Sequence, residues 1–252
     1  MKPVDQVYAA LDHLGTGCVI LRASHSQNLR WANSALTTNG DTMTTSMTVI
    51  AMEAAEGGSR VAVSAGQVAS PEEAAHLAAG CAEAVHKAPV ADAAELIEGA
   101  ESAGFGADPD RIPVPRTDAM QEAVGAFLGA GGRQFGYAEL DSTTTYLATT
   151  AGVGLRHVQH SVRVESSARD AAGSTWWGTN DLSIDPDSVN SQAAQRLSLQ
   201  EHREDQAPGR HRVILTPSAV ADLLIYMAWS ANGRDAVEGH NVFSRPGGAT
   251  RI

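Results

Sequence analysis

The alternation of apolar and polar positions along the chain predicts a fold that contains both helices and strands. Apolar residues recur at helical spacing in four segments, at residues 3–14, 74–85, 117–128 and 217–231. Short runs rich in β-branched residues predict strands at residues 18–23, 28–33, 47–52 and 60–64. Polar turns at residues 25–27 and 39–41 and a loop at 56–59 separate these runs, which predicts a meander of about four strands.

The helix that begins after Ser70 has the clearest sequence signals. Ser70 is followed by Pro71 and, three residues after the serine, by Glu73, which together form a capping box at a helix start. His76 and His86 fall outside the apolar stripe and are expected to be exposed. The stripe itself, which predicts the buried face, consists of Ala74, Leu77, Ala78, Cys81, Ala82 and Val85.

The second half of the chain continues this mixture of elements. Residues 88–115 hold four of the ten prolines and predict a traverse between layers, with a short helical piece at residues 92–103. Residues 134–181 are rich in Thr, Val and Tyr and predict strands, and Pro186 opens a predicted helix that runs to about residue 204. The whole pattern predicts an α+β fold in which helices pack on antiparallel or mixed β-sheets.

One predicted strand runs directly into a helix near the end of the chain. Val213–Leu215 is a short apolar run, Thr216 is a good N-cap, and Pro217 stands at the first helical position. A helix that starts from the end of a buried strand is a common place for catalytic residues. This helix contains no His, Glu or Cys, and its single acid is Asp222.

Composition and charge narrow the classes of partner. The formal net charge is −11, whereas a nucleic-acid partner would require clusters of Lys and Arg. The two cysteines have no pairing pattern, and Cys81 is expected to pack as a small apolar residue. There is no apolar signal core at the N-terminus and no apolar run of about 20 residues, which predicts a cytoplasmic protein without a membrane or nucleic-acid partner.

Histidines and tryptophans in the predicted β-rich region are the remaining candidates for chemistry. His157 and His160 have a spacing that occurs in metal sites, but on a strand they would point to opposite faces. Trp176 and Trp177 are adjacent on a predicted strand, so one is expected to face the core and the other to face away. The outward tryptophan would be able to line a peptide groove; the alternative is that both pack under the helices.

Three stretches resemble a known protein family. The run from Val213 to Leu224, the later Gly233 and the segment Glu238-Gly-His-Asn-Val-Phe-Ser244 resemble the middle of the TldD/PmbA family. Arg30-Trp31-Ala32-Asn33 resembles a strand of its N-terminal domain, with Trp at the aromatic position. Proteins of this family are described as proposed modulators of DNA gyrase and as metalloprotease-related. The resemblance covers nearly all of this chain, which corresponds to about half of the family's length.

The resemblance implies that this chain lacks the family's metal site. In the TldD branch, the helix that matches residues 217–231 carries an HExxxH motif, whose two His bind a metal and whose Glu acts as base. The matching positions here are Leu224, Ile225 and Trp229, which offer no zinc ligand. The chain therefore resembles the PmbA (TldE) branch, with no catalytic or metal-binding residue at these positions. Zinc is expected only in a TldD-type partner.

The functional expectation that follows is a non-catalytic PmbA-like subunit. It would support metal-dependent proteolysis of unfolded or small peptides by a TldD-type homologue, in a heterodimer or higher assembly, or act as a homodimer. One alternative is a peptide-binding or assembly module without a proteolytic role; another is a metallopeptidase in its own right. The expected domains are residues 1–110, a central α/β region at 111–235, and the start of a C-terminal domain at 236–252.

Overall fold

The computed structural model describes residues 2–93, 95–129, 133–171, 173–201 and 204–245. Within it the chain forms two compact units, Met1–Arg203 and Glu204–Ile252. Unit 1 contains all the strands in the described part of the chain, and unit 2 contains two helices.

Unit 1 is built on a seven-stranded sheet whose ladders are all antiparallel. The strand order is β4-β3-β2-β1-β5-β6-β7, so β1 is the central strand. The strands are β1 (Gly17–Ala32), β2 (Ala35–Ala55), β3 (Gly58–Gln67), β4 (Val90–Ala91), β5 (Gln134–Thr149), β6 (Gly154–Arg169) and β7 (Ser174–Thr179). The predicted α+β class is confirmed, and the β-rich character of residues 134–181 is also confirmed.

The predicted turns at residues 25–27 and 39–41 are wrong, because both segments lie inside long strands. The reversal occurs instead at Asn33 and Ser34, whose φ angles are +51° and +59°. Residues 25–27 look like a turn because they are polar, but their side chains find partners across the sheet. Gln27, for example, donates to Asp41 at 2.8 Å. The region predicted as a meander of about four strands therefore contains three longer strands, β1, β2 and β3.

Strand β2 has a neighbour on both sides along only part of its length. It pairs with β1 from Ala35 to Ala51. Its ladder with β3 begins only at Ser46 and continues to Ala55. In the described part of the chain no strand pairs with the other edge of residues 35–45, so this half of β2 is an edge strand.

The four helices of unit 1 pack on one face of the sheet. These are α1 (Pro3–Leu11), α2 (Pro71–Val85), α3 (Val114–Gly129) and α4 (Pro186–Gln200). One core cluster joins α1 and α2 to β1 and β2, and a second cluster joins α3 and α4 to β1, β5 and β6. Polar side chains such as Ser24, Ser26 and Thr143 lie on the opposite face of the sheet.

Helix α2 follows the sequence prediction closely. Ser70 Oγ accepts the backbone N–H of Glu73, and Glu73 in turn accepts the N–H of Ala69, one residue before the cap. His76 and His86 are exposed, as predicted. The predicted apolar face is confirmed at its buried members, Ala74, Ala78, Cys81 and Val85.

The helical piece predicted at residues 92–103 is wrong within the described residues of that segment, which form an extended connection. Glu101 makes an isolated parallel bridge with Gly154, and Phe105 packs edge-on against the ring of Tyr146. The alanines of this stretch have helix propensity, but the segment is held by contacts with the start of β6 and with β5, which override that preference.

Unit 2 contains α5 (Pro217–Ser230) and α6 (Gly233–Val237). Helix α5 begins where the sequence predicts, with Thr216 as N-cap accepting the N–H of Ala219 at 3.4 Å. The strand predicted at Val213–Leu215 is wrong. These residues are not in a strand, and Ile214 is almost fully exposed. An apolar β-branched run becomes a strand only when another strand supplies its hydrogen bonds.

None of the described helices is both long enough and apolar enough to cross a membrane.

Candidate functional site

Helix α5, the first candidate, presents its apolar side chains to solvent. Leu224, Ile225 and Trp229, which the family resemblance aligns with the metal motif, are 51%, 47% and 68% exposed. The ring of Trp229 contacts that of Tyr226 edge-on, with centroids 5.4 Å apart. No residue of α5 is buried. The apolar residues predicted at helical spacing are thus present on the helix, and they are exposed to solvent.

The chemistry available on α5 is that of a contact surface. Zinc sites use thiolate, imidazole or carboxylate ligands at close spacing. Between Pro217 and Ser230 the only such group is the carboxylate of Asp222. Leu224, Ile225 and Trp229 supply apolar area and, in the case of the indole, a single N–H donor.

The turn after α6 brings three potential metal ligands together. The N–H of His240 donates to the carbonyl of Asp235 and that of Gly239 to Ala236, which is the double hydrogen bond of a Schellman motif. That turn places the side chains of its first and last residues on the same side. The ligand atoms of Asp235, Glu238 and His240 consequently lie within 4.8 Å of one another. Among the described residues, this is the one cluster of three potential metal ligands. Two of its members, Glu238 and His240, are exposed.

Asn241 fixes the same turn to the end of α5. Its side-chain amide donates to the carbonyls of Ser230 and Asn232, at 2.8 Å and 3.0 Å. Its Oδ1 accepts the N–H of Phe243. The segment from Glu238 to Ser244, which carries part of the family resemblance, is therefore a local structure closed by its own side chains.

The two adjacent tryptophans of β7 alternate between the faces of the sheet. Trp177 packs toward the ring of Phe127 in the second core cluster, with centroids 6.3 Å apart. Trp176 is 51% exposed, and its indole N–H donates to Glu165 at 3.4 Å. The cavity next to them has a volume of about 10 Å³, which is room for one water molecule. A peptide groove at this place remains a prediction that involves Trp176 alone.

The histidine pair on β6 is arranged as strand alternation requires. His157 and His160 lie within β6, pair with Thr145 and Ser142 of β5, and are both exposed. Three residues apart on a strand, they face opposite sides of the sheet. The structure therefore does not bring their two rings together.

A polar cleft beside His25 was missed by the sequence analysis. It has a volume of about 400 Å³ and lies between the start of α1, the strands β1 and β2, and residues 108–111. His25, on its floor, is buried, and its Nε2 lies 3.1 Å from the Asp41 carboxylate. Its Nδ1 accepts the N–H of Ile112 at 3.0 Å, so the ring hydrogen is on Nε2 and points to Asp41.

Charged groups surround this cleft. The hydrogen bond from Gln27 and the neighbouring imidazole of His25 hold the pKa of Asp41 below its ordinary value. Arg156 donates to the backbone carbonyl of Asp108 and forms an ion pair with Asp110. The sequence signal that would have revealed the cleft is that the strand alternation continues through residues 25–27. It is hard to see in the sequence because the residues on both faces of the strand are polar there.

Comparisons with known proteins give similarity of fold but not of sequence. No family model and no curated protein matches the sequence. TldE from Thermococcus kodakarensis aligns over 77% of this chain, with a TM-score of 0.54 and 9% identity. A proposed modulator of DNA gyrase from Bacteroides thetaiotaomicron aligns over 93%, with a TM-score of 0.67 and 11% identity. This chain has the fold of these proteins. The resemblance to the TldD/PmbA family is thereby confirmed at the level of the fold.

The TldE-like fold covers only part of the proteins that share it. The alignments span 47% of the Thermococcus TldE and 58% of the Bacteroides protein. Any binding or cleavage activity of those longer proteins is therefore only a proposal for this chain.

Proposed function

We propose that this chain is a non-catalytic, TldE-like subunit that supports proteolysis of unfolded or small peptides by a metal-binding TldD-type homologue. The observation that carries the proposal is the chemistry of α5. Where the TldD branch has two metal-binding His and a Glu, this helix has Leu224, Ile225 and Trp229. Its fold similarity to a protein described as TldE supports the same assignment.

The exposure of α5 supports the partner in this proposal. Side chains that are half exposed over several turns of one helix form an apolar surface of the kind that marks protein interfaces. Tryptophan and tyrosine are enriched in the residues that contribute most to binding energy, and Tyr226 and Trp229 lie together here. The proposal assigns this surface to contact with the TldD-type homologue.

The test measures peptidase activity on an unstructured peptide, for the chain alone, for the TldD-type homologue from the same source alone, and for both together. We expect no cleavage by this chain and faster cleavage by the mixture than by the homologue alone. Leu224→Glu should abolish the gain. Leu199→Glu, which changes an exposed leucine near the end of α4, should leave it intact.

Two results would contradict the proposal. Equal cleavage by the homologue with and without this chain would remove the supporting role. Cleavage by the chain alone, together with stoichiometric zinc, would make it a metallopeptidase in its own right. In that case His157, His160 and the Asp235–His240 turn are the places to substitute, because α5 offers only Asp222 as a ligand.

A further inference from the structure

The open half of β2 presents unpaired backbone groups in a regular row. The carbonyl of Thr45 accepts the N–H of Val68, so it points away from β1, while the N–H of Met52 donates to Thr16 on the opposite side. Backbone groups alternate in direction along a strand, and the register with β1 is unbroken between residues 38 and 51. Asn39, Asp41 and Met43 therefore direct their N–H and C=O groups outward.

Apart from the charge of Asp41, this edge lacks the usual devices that prevent strand addition. Natural edge strands carry lysines, prolines or bulges, or are covered by another element. Residues 39–45 contain no Lys and no Pro, and the irregularity in the β1–β2 ladder lies beyond them, at Arg30 and Trp31. In the described part of the chain, the one backbone hydrogen bond to the outer side of this stretch is that from Val68 to the carbonyl of Thr45. The edge is therefore open for several residues.

The polar cleft lies directly beside this edge. Met43, Thr44 and Thr45 form one wall of the cleft, and residues 108–111 form another. The side chains of a strand added to β2 would alternate, and those level with Met43 would point to the face on which the cleft lies. Three exposed carboxylates, those of Asp41, Asp108 and Asp110, outnumber the two guanidinium groups nearby, those of Arg111 and Arg156.

We propose that the outer edge of β2, from Asn39 to Met43, accepts an extended peptide as an additional strand, and that a basic side chain of this peptide lies in the cleft. Main-chain hydrogen bonds would hold the peptide, and the carboxylates would select the side chain. A second copy of this chain is a poorer occupant. Edge-to-edge pairing would bring two Asp41 carboxylates to one interface, in a dimer of chains that each carry a net charge of −11. This inference does not depend on a catalytic partner.

The peptide arm of the test uses three probes with the full chain. These are a short peptide of alternating lysine and valine, the same peptide with glutamate in place of lysine, and the lysine peptide with its backbone amides N-methylated. We expect binding of the lysine peptide, and a loss of at least about tenfold for each of the other two. Equal binding of the N-methylated peptide would overturn strand addition, and equal binding of the glutamate peptide would overturn the role of the cleft.

The protein arm compares Met43→Pro with Met43→Ala. Proline at position 43 removes an outward N–H and leaves the ladder with β1 intact, so it should be tolerated as edge-strand prolines are. Met43→Pro should weaken the lysine peptide about tenfold relative to Met43→Ala. Asp108→Asn should weaken binding of the lysine peptide, because Asp108 lines the cleft. Asp118→Asn, on the exposed surface of α3, should leave the affinity unchanged. If Met43→Pro does not fold, the N-methylated peptide on the unchanged chain decides; unchanged affinity in Met43→Pro overturns the proposal.

Discussion

Nε2 of His25 lies 3.1 Å from Oδ1 of Asp41, and this contact joins the central strand β1 to the open half of β2. The other ring nitrogen accepts the N–H of Ile112, which is 87 positions away in the sequence. A single imidazole thus holds the crossing segment at residues 108–112 against the sheet. It is saturated by these two bonds, which makes it a structural residue.

Replacement of His25 by alanine should therefore destabilise unit 1. The buried N–H of Ile112 would lose its acceptor, which typically costs about 1–3 kcal/mol in the free energy of unfolding. Asp41→Asn is the matched control, because the amide oxygen still accepts from Nε2 and the side chain is exposed. Urea unfolding of the two variants measures the difference. Equal stability of the two variants would mean that the Ile112 bond contributes nothing.

Gly136→Ala should be among the most damaging single-methyl additions in the chain. A Cβ at this position would lie 1.9 Å from Cζ2 of Trp31 and 2.5 Å from the carbonyl of Glu165. Trp31 is itself held by a stacked contact with Phe127, with ring centroids 6.0 Å apart, so the indole has no free space to move into. Overpacking of this kind costs about 1–3 kcal/mol or more.

Gly125→Ala, in α3, is the control for that variant. No atom lies within 4 Å of the Cβ it would add, and alanine is favoured over glycine inside a helix by about 0.5–1 kcal/mol. The two alanine variants should therefore shift the thermal unfolding midpoint in opposite directions. A midpoint for Gly136→Ala that matches the unchanged chain would show that Trp31 is free to reorient.

Shortening an exposed side chain of α5 should have little effect on the free energy of unfolding. Trp229 is 68% exposed, so Trp229→Ala should change the free energy of unfolding by no more than about 0.5 kcal/mol. Leu140, on β5, is 1% exposed in the second core cluster, and Leu140→Ala should cost about 2–5 kcal/mol. Urea titrations of both variants make the comparison. A large cost for Trp229→Ala would mean that the indole is packed in solution and not available to a partner.

Tyr137 should ionise unusually late in an alkaline titration. Burial, and a hydrogen bond to the Glu139 carboxylate, raise the pKa of its phenol to about 12. Because the folded pKa is above that of the unfolded chain, near 10, the stabilisation is fully present below about pH 10 and is lost as the pH rises toward 12. Tyr137→Phe should remove an absorbance step near pH 12 from the ultraviolet phenolate titration. A step removed near pH 10 instead would contradict the assigned environment.

The parts of the fold that the sequence predicts are those in which a side chain's spacing decides its burial. The stripe from Ala74 to Val85 is an example, because one helix face meets one sheet whatever lies elsewhere in the chain. The turn predicted at residues 25–27 was wrong because His25 and Gln27 are polar for a reason outside their own segment. Their partners are Asp41, Thr117 and the N–H of Ile112.

The candidate sites divide in the same way. That α5 has a single potential metal ligand, Asp222, can be read directly from the sequence between Pro217 and Ser230. The exposure of its apolar face cannot be predicted from the sequence, because periodicity shows that a face is apolar but does not show what covers it. The open edge of β2 was also hidden, since it depends on where the ladder with β3 begins.

The central position of β1 has a consequence for the order of folding. Its pairing with β2 across the turn at Asn33 and Ser34 is local, so we expect it to form early. Its other edge pairs with β5, as at Ser24 and Thr143, which are 119 positions apart in the sequence. Contacts of such long sequence separation form slowly. During synthesis, the first 85 residues would therefore assemble β1–β3 with α1 and α2 while one side of β1 stays unpaired. For that interval the nascent chain exposes a sixteen-residue strand edge in the middle of its future sheet, where a chaperone would have most to protect.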